Sequence, residues 1–312
     1  MKPHDSATLP RPIAAPGTTT TDAAQTHGGR GMLLAGSGVG LFSLSFAATE
    51  WSLRGFGPWS TVGLRGAIAA VIAGVCLAVF RAPRPQRRHW AGLATVGLGC
   101  VVGYPALTTL ALRTTTTAHS AVVIGLMPLA TSCYSALRTR SRQPRAFWAA
   151  AVAGAATVAA FTLYEHGGAP SGADLYLFAA LLLCSAGYAE GGRLAREMPG
   201  WQVIAWALVA VLPVTATLAT PAVTGEPVHI SATALTGVAF LGLSQFVSYI
   251  PWYQGMALIG VQRAAQIQLA QPLLNLLWAA LLLHERIPAA APVAALLVLA
   301  CIAATQRAAR RN

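Results

Sequence analysis

From Gly31 onward the chain alternates apolar stretches of about 20 residues, the length a helix needs to cross a hydrocarbon core, with short polar breaks rich in arginine. At 1.5 Å of rise per residue, each stretch spans roughly 30 Å. The pattern predicts ten spans, near 31–53, 58–80, 90–111, 116–137, 146–164, 173–194, 200–221, 232–257, 264–284 and 288–306. Residues 1–30 are rich in Pro, Thr, Ala and Gly and hold no apolar run, which predicts a disordered cytoplasmic tail without a signal-peptide core. Residues 307–312 predict a short basic C-terminus.

Two of the spans break the rules for a helix that merely faces lipid. Val261 to Ile287 carries Gln266, Gln268, Gln271 and Asn275, with Pro272 at its centre. Gln268, Gln271 and Asn275 stand at i, i+3 and i+7 and so share one face. Unpartnered amides in hydrocarbon cost roughly 2–7 kcal/mol each, so that face must look into protein or water. Pro272 lacks an N–H, which predicts that the carbonyl of Gln268 loses its helical partner. Thr114 to Leu137 repeats the device with Pro128, 144 residues earlier. The preceding spans match as well, Tyr104-Pro105 against Ile250-Pro251, at an offset of 146. Helix kinks are therefore predicted at Pro105, Pro128, Pro251 and Pro272. Interrupted helices in corresponding positions of two halves point to the binding site of a secondary transporter.

Composition narrows the class. Of the 312 residues 55% are hydrophobic and 10% charged, whereas soluble domains carry about 45–50% and about 25%. The net charge of +12 does not point to nucleic acid, because the arginines lie between apolar spans and not on one soluble face. Seventeen of the 21 Lys and Arg residues fall in one set of alternating breaks and three in the other. The positive-inside rule then places both termini in the cytoplasm. Five spans per copy is an odd number, so the second copy, 173–306, enters the bilayer opposite to the first, 31–164. The expected fold is all-α, ten transmembrane helices as an inverted repeat of two five-helix bundles meeting at spans three, four, eight and nine. The five cysteines sit in apolar spans without ligand spacing and read as packing residues. No catalytic constellation, metal site or cofactor motif is present.

On these residues the chain resembles the EamA family of the drug/metabolite transporter superfamily. The resemblance rests on the duplicated ten-span layout, on Gly63-Leu64-Arg65-Gly66-Ala67, on the alanine-rich starts of spans four and nine with Pro128 and Pro272, and on Leu283-His284-Glu285-Arg286-Ile287. The end of span four departs from it, since Leu137-Arg138-Thr139-Arg140 has no glutamate. The resemblance implies a ten-helix inverted-repeat fold that moves small organic solutes, often outward; the alanine-rich, arginine-heavy composition points to a bacterial source and so to the cytoplasmic membrane.

The expected substrate-binding residues are Tyr104, Thr108, His119 and Ser132 from copy one and Gln245, Tyr249, Trp252, Gln268, Gln271 and Asn275 from copy two. Few charges are available to face such a cavity, which favours a neutral or zwitterionic cargo. Glu50 and Glu190 are candidate proton-coupling carboxylates, but each also stands one turn before an arginine, Arg54 or Arg193, at ion-pair spacing. Arg65 matches Glu50 in depth on the neighbouring helix, so a bridge between them is expected, against a role in clamping a substrate carboxylate. His119, at a helix start, reads as hydrated or as a gating residue, and Glu285 as helping to initiate span ten. The expected partners are a small-molecule substrate and the bilayer, with no nucleic acid, and homodimerisation stays open. The rival readings are a membrane enzyme acting on a lipid carrier, which would need clustered acids, and a passive channel or scaffold.

Overall fold

A computed structural model describes residues 20–140, 142–165, 171–220, 225–226 and 228–310. Every regular element among them is helical. Segment one is Thr20–Ser43 followed by Ser45–Leu53, segment two is Pro58–Val79 and segment three is Arg87–Leu112. Segment four is Thr117–Ile124 plus Met127–Arg138, segment five Arg145–Glu165 and segment six Gly172–Leu194. Segment seven is Gly200–Ala210 plus Leu212–Ala219, bent by 53°. Segment eight is Ala232–Val247 plus Tyr249–Ile259, segment nine Val261–Ile267 plus Ala270–Leu282, and segment ten Ala290–Arg310.

Eight of these are long and apolar enough to cross a membrane, and nine if bent segment seven counts as one crossing. The apolar part of segment ten, Ala290–Ala304, is shorter. The chain is thus an all-helical multi-pass membrane protein. Segment one begins at Thr20, inside the stretch expected to be tail. Residues 1–19 and 311–312 lie outside the described residues.

Local chemistry explains the starts and the interruptions. Thr116 accepts from the His119 N–H at 3.1 Å to begin segment four, and Ser231 accepts from Ala234 to begin segment eight. Ser171 and Asp174 form a reciprocal capping box at segment six. Segments four, eight and nine are interrupted two to four residues before Pro128, Pro251 and Pro272, where the missing N–H weakens the ladder. Segment seven bends just before Pro213, which the sequence reading did not single out. Segments eight and nine are joined by Gly260 alone, at φ +82°, a conformation that a side chain would strain.

The two repeats do not stand as separate bundles. Segment one packs on segment eight, and its counterpart, six, packs on three; two packs on seven, four on nine and five on ten. Exchanging the halves maps this pattern onto itself. Each helix lies mainly against the other repeat, so the expectation of two five-helix units meeting at one seam is corrected. The reason is small-residue packing. Between helices in lipid the drive is close van der Waals approach, not hydrophobic burial. A Cβ on Gly255 of segment eight would lie 2.7 Å from the Ala35 nitrogen of segment one. Val71, Val75 and Val79, and likewise Leu273, Leu277 and Leu281, form exposed apolar stripes at i+4 spacing that suit acyl chains.

Candidate functional site

Between helices of both repeats lies a narrow internal cavity of about 20 Å³, room for little more than a water molecule. It is lined by Leu41, Phe42 and Ser45 of segment one, Arg65 of two, Tyr104 of three, Tyr188 of six, Ser244, Gln245 and Tyr249 of eight, and Gln271 of nine. Phe42, Tyr188, Tyr249 and Trp252 form a continuous aromatic wall, with ring centroids 4.7–6.1 Å apart. A smaller cavity, about 10 Å³, lies beside it where segments four and nine cross at their interruptions. Gln268, Gln271 and Asn275 line it opposite Gly125, Met127 and Pro128, so the amide face does look inward.

The polar network has a specific origin in the backbone. Segment three contains a π-helical stretch, Gly97–Gly103, in which each N–H reaches the carbonyl five residues back; the Tyr104 N–H bonds the Gly99 carbonyl. By that register the carbonyl of Cys100 awaits the N–H of residue 105, and residue 105 is proline. The orphaned carbonyl is taken instead by Gln245 Nε2 at 3.1 Å and the Tyr249 hydroxyl at 3.5 Å. Gln245 Oε1 in turn accepts from Arg65 Nη2. The free-carbonyl device expected at Gln268 therefore operates at Cys100. The Gln268 carbonyl accepts from the Gln271 N–H at 3.0 Å, because the backbone tightens to an i+3 bond ahead of Pro272.

Of the residues named from sequence, Tyr104, Gln245, Tyr249 and Gln271 line the central cavity, and Gln268 and Asn275 the smaller one. Trp252 packs behind the wall against Phe42 and Tyr188. Thr108 and Ser132 are buried but bond the carbonyls of Tyr104 and Pro128 in their own helices. His119 is not hydrated. It is 1% exposed, stacks on Phe161, and meets Asp174 Oδ1 at 2.7 Å through Nε2. The bridge expected between Glu50 and Arg65 is not made; Glu50 instead lines a wide depression with Arg54, Trp59, Arg113, Glu226 and His229. Glu190 accepts from Arg138 Nε at 3.0 Å and Arg193 Nε at 2.9 Å. Glu285 caps segment four, accepting from the Thr117 and Ala118 N–H groups at 3.2 and 3.1 Å, and not segment ten.

Phe42, Ser45, Tyr188 and Ser244 escaped the sequence reading. Each is an aromatic or small polar residue inside an apolar run, a signal shared with many residues that merely pack. Glu226 was also passed over; it accepts from the N–H groups of Trp59 and Ser60 at 3.2 and 2.9 Å and so caps segment two from 166 residues away.

A duplicated, interleaved helical membrane protein with a narrow aromatic and polar cavity between its repeats has the construction of a transporter. Residues 29–163 and 171–305 each match the EamA-like transporter family, and the chain belongs to that family. It is 39% identical to "Uncharacterized transporter YdeK" of Bacillus subtilis (strain 168) over 271 residues, 86% of this chain and 94% of that protein. A protein of known crystal structure, 20% identical, superposes with a TM-score of 0.61 over 88% of this chain and 97% of its own, a likeness of fold.

Proposed function

We propose that this transporter moves a small neutral or zwitterionic organic metabolite, such as an amino acid or an amphiphilic drug, outward by alternating access. The observation that carries the reading is the narrow central cavity, walled by six segments drawn from both repeats. Any motion that exchanges the two repeats across their pseudo-two-fold axis exposes it to opposite sides in turn. Interleaving makes the moving units mixed sets, segments one, two and eight against three, six and seven, which the pseudo-symmetry exchanges.

Ten spans as an inverted repeat belong to the same reading. Segment ten supports it, since its helix packs along segment five as a full-length element. The arginine asymmetry supports termini in the cytoplasm, and the likeness to a bacterial transporter supports the cytoplasmic membrane. The paired arginines on Glu190 support a structural role for that carboxylate over proton coupling.

Counterflow in proteoliposomes tests the reading. Saturable flux of an amino acid, nucleoside or amphiphilic drug, with countertransport, is expected. A non-saturating leak would make the protein a channel, and correct insertion with no flux would make it a scaffold. The same flux under imposed pH gradients in wild type and Glu190→Gln separates coupling from structure, because a merely structural Glu190 leaves the gradient dependence unchanged.

A further inference from the structure

The central cavity contains one formal positive charge and no counter-charge from the protein. Arg65 is 5% exposed. Its Nη2 is held by a neutral amide, Gln245, and its Nε has no acceptor. None of the ion pairs among the described residues includes it. The groups that face it from every packed helix, Tyr104, Tyr188, Ser244, Gln245, Tyr249 and Gln271, carry no negative charge. A charge at this depth is costly unless something pairs with it, and such residues usually face a partner or a pathway.

We propose that Arg65 is the substrate-anchoring residue and that it anchors a carboxylate, so that the cargo is a small monoanionic or zwitterionic carboxylic acid with an apolar body. This rests on the carrier reading and sharpens it, since cations and solutes without a carboxylate are then poor substrates. A guanidinium offers adjacent N–H groups whose geometry matches a carboxylate, and Nε is buried without a hydrogen-bond partner. Gln245 then holds the guanidinium in place, its own amide fixed by the Cys100 carbonyl at 3.1 Å. The aromatic wall takes the apolar body. A phosphate would bring about two negative charges to a single positive one.

The test is thermal stabilisation of the purified full-length protein by benzoate and L-phenylalanine, each against its carboxylate-free counterpart, benzamide and L-phenylalaninol. At least one acid should stabilise saturably while its counterpart does not. Arg65→Gln should weaken that acid by about 10- to 100-fold, the weight of hydrogen bonds to a charged group. Gln245→Glu, which supplies an internal carboxylate to the same guanidinium, should abolish the response in a protein that stays folded. That second variant decides the matter if Arg65→Gln does not fold. Equal responses to acid and counterpart, no response to either acid, or an acid response that survives in a folded variant would each overturn the proposal. Counterflow of the bound acid keeps the two readings apart, because binding without flux sinks the carrier and leaves the anchor standing.

Discussion

The two ends of the bundle are closed by different chemistry. Where segments two, four and six begin, carboxylates from distant loops sit on backbone N–H groups: Glu226 on segment two and Glu285 on segment four. Beneath them the His119–Asp174 pair is fully buried. At the opposite end, side chains close on side chains. Glu190 is held by Arg138 and Arg193, and Glu197 by Arg88, His89 and Arg193. The arginines there are 43–68% exposed. A carboxylate on a helix N-terminus meets fixed donors and a favourable dipole, whereas exposed ion pairs must immobilise two long side chains for about 0–1 kcal/mol.

The largest effect that sharpens this contrast is at the capped end. His119→Leu takes from the buried Asp174 the bond to Oδ1 and leaves it the Ser171 contacts, so it should destabilise by about 1.5–3 kcal/mol, read as a shift of the unfolding midpoint in detergent. Next, Glu226→Ala removes the cap of segment two and should cost about 1–2 kcal/mol, with little dependence on salt. Equal salt sensitivity at both ends would break the comparison. Third, Arg138→Gln should cost under about 1 kcal/mol, a difference that disappears near 1 M salt, where screening acts within about 3 Å.

The smallest effect concerns pH. The hydrogen bond from His89, then the charges of Arg88 and Arg193, hold the Glu197 carboxyl below its ordinary range against a weaker opposing effect of burial. A depressed carboxylate contributes stability above its unfolded pKa and loses it as the pH falls through the folded one. Wild type should therefore lose stability on acidification below the usual carboxylate range, relative to Glu197→Gln, and the two melting profiles should run parallel at neutral pH.

The helices were legible because each apolar run is long and the prolines are unmistakable, and the duplicated layout because Pro105 and Pro128 recur as Pro251 and Pro272. Parts of the cavity were legible too, since Gln245 and Tyr249 share a face that lipid would punish. Thr108 and Ser132 show where such reasoning stops: a hydroxyl satisfied by the carbonyl four residues back looks in sequence like one that lines a cavity. His119 failed for a related reason. Its partner, Asp174, is 55 residues away and looks like an ordinary helix cap.

The sequence by itself determined which residues share a helix face, where the backbone ladder is interrupted, and that one half repeats the other. Only the tertiary structure decided that Arg65 turns to Gln245 and not to Glu50, that the orphaned carbonyl belongs to Cys100, and that each helix packs on the opposite repeat. Helical periodicity is a local property of 3.6 residues per turn. In lipid it meets no gradient of hydrophobicity that distinguishes one neighbouring helix from another, so partners are chosen by close contacts of small residues far apart in the chain.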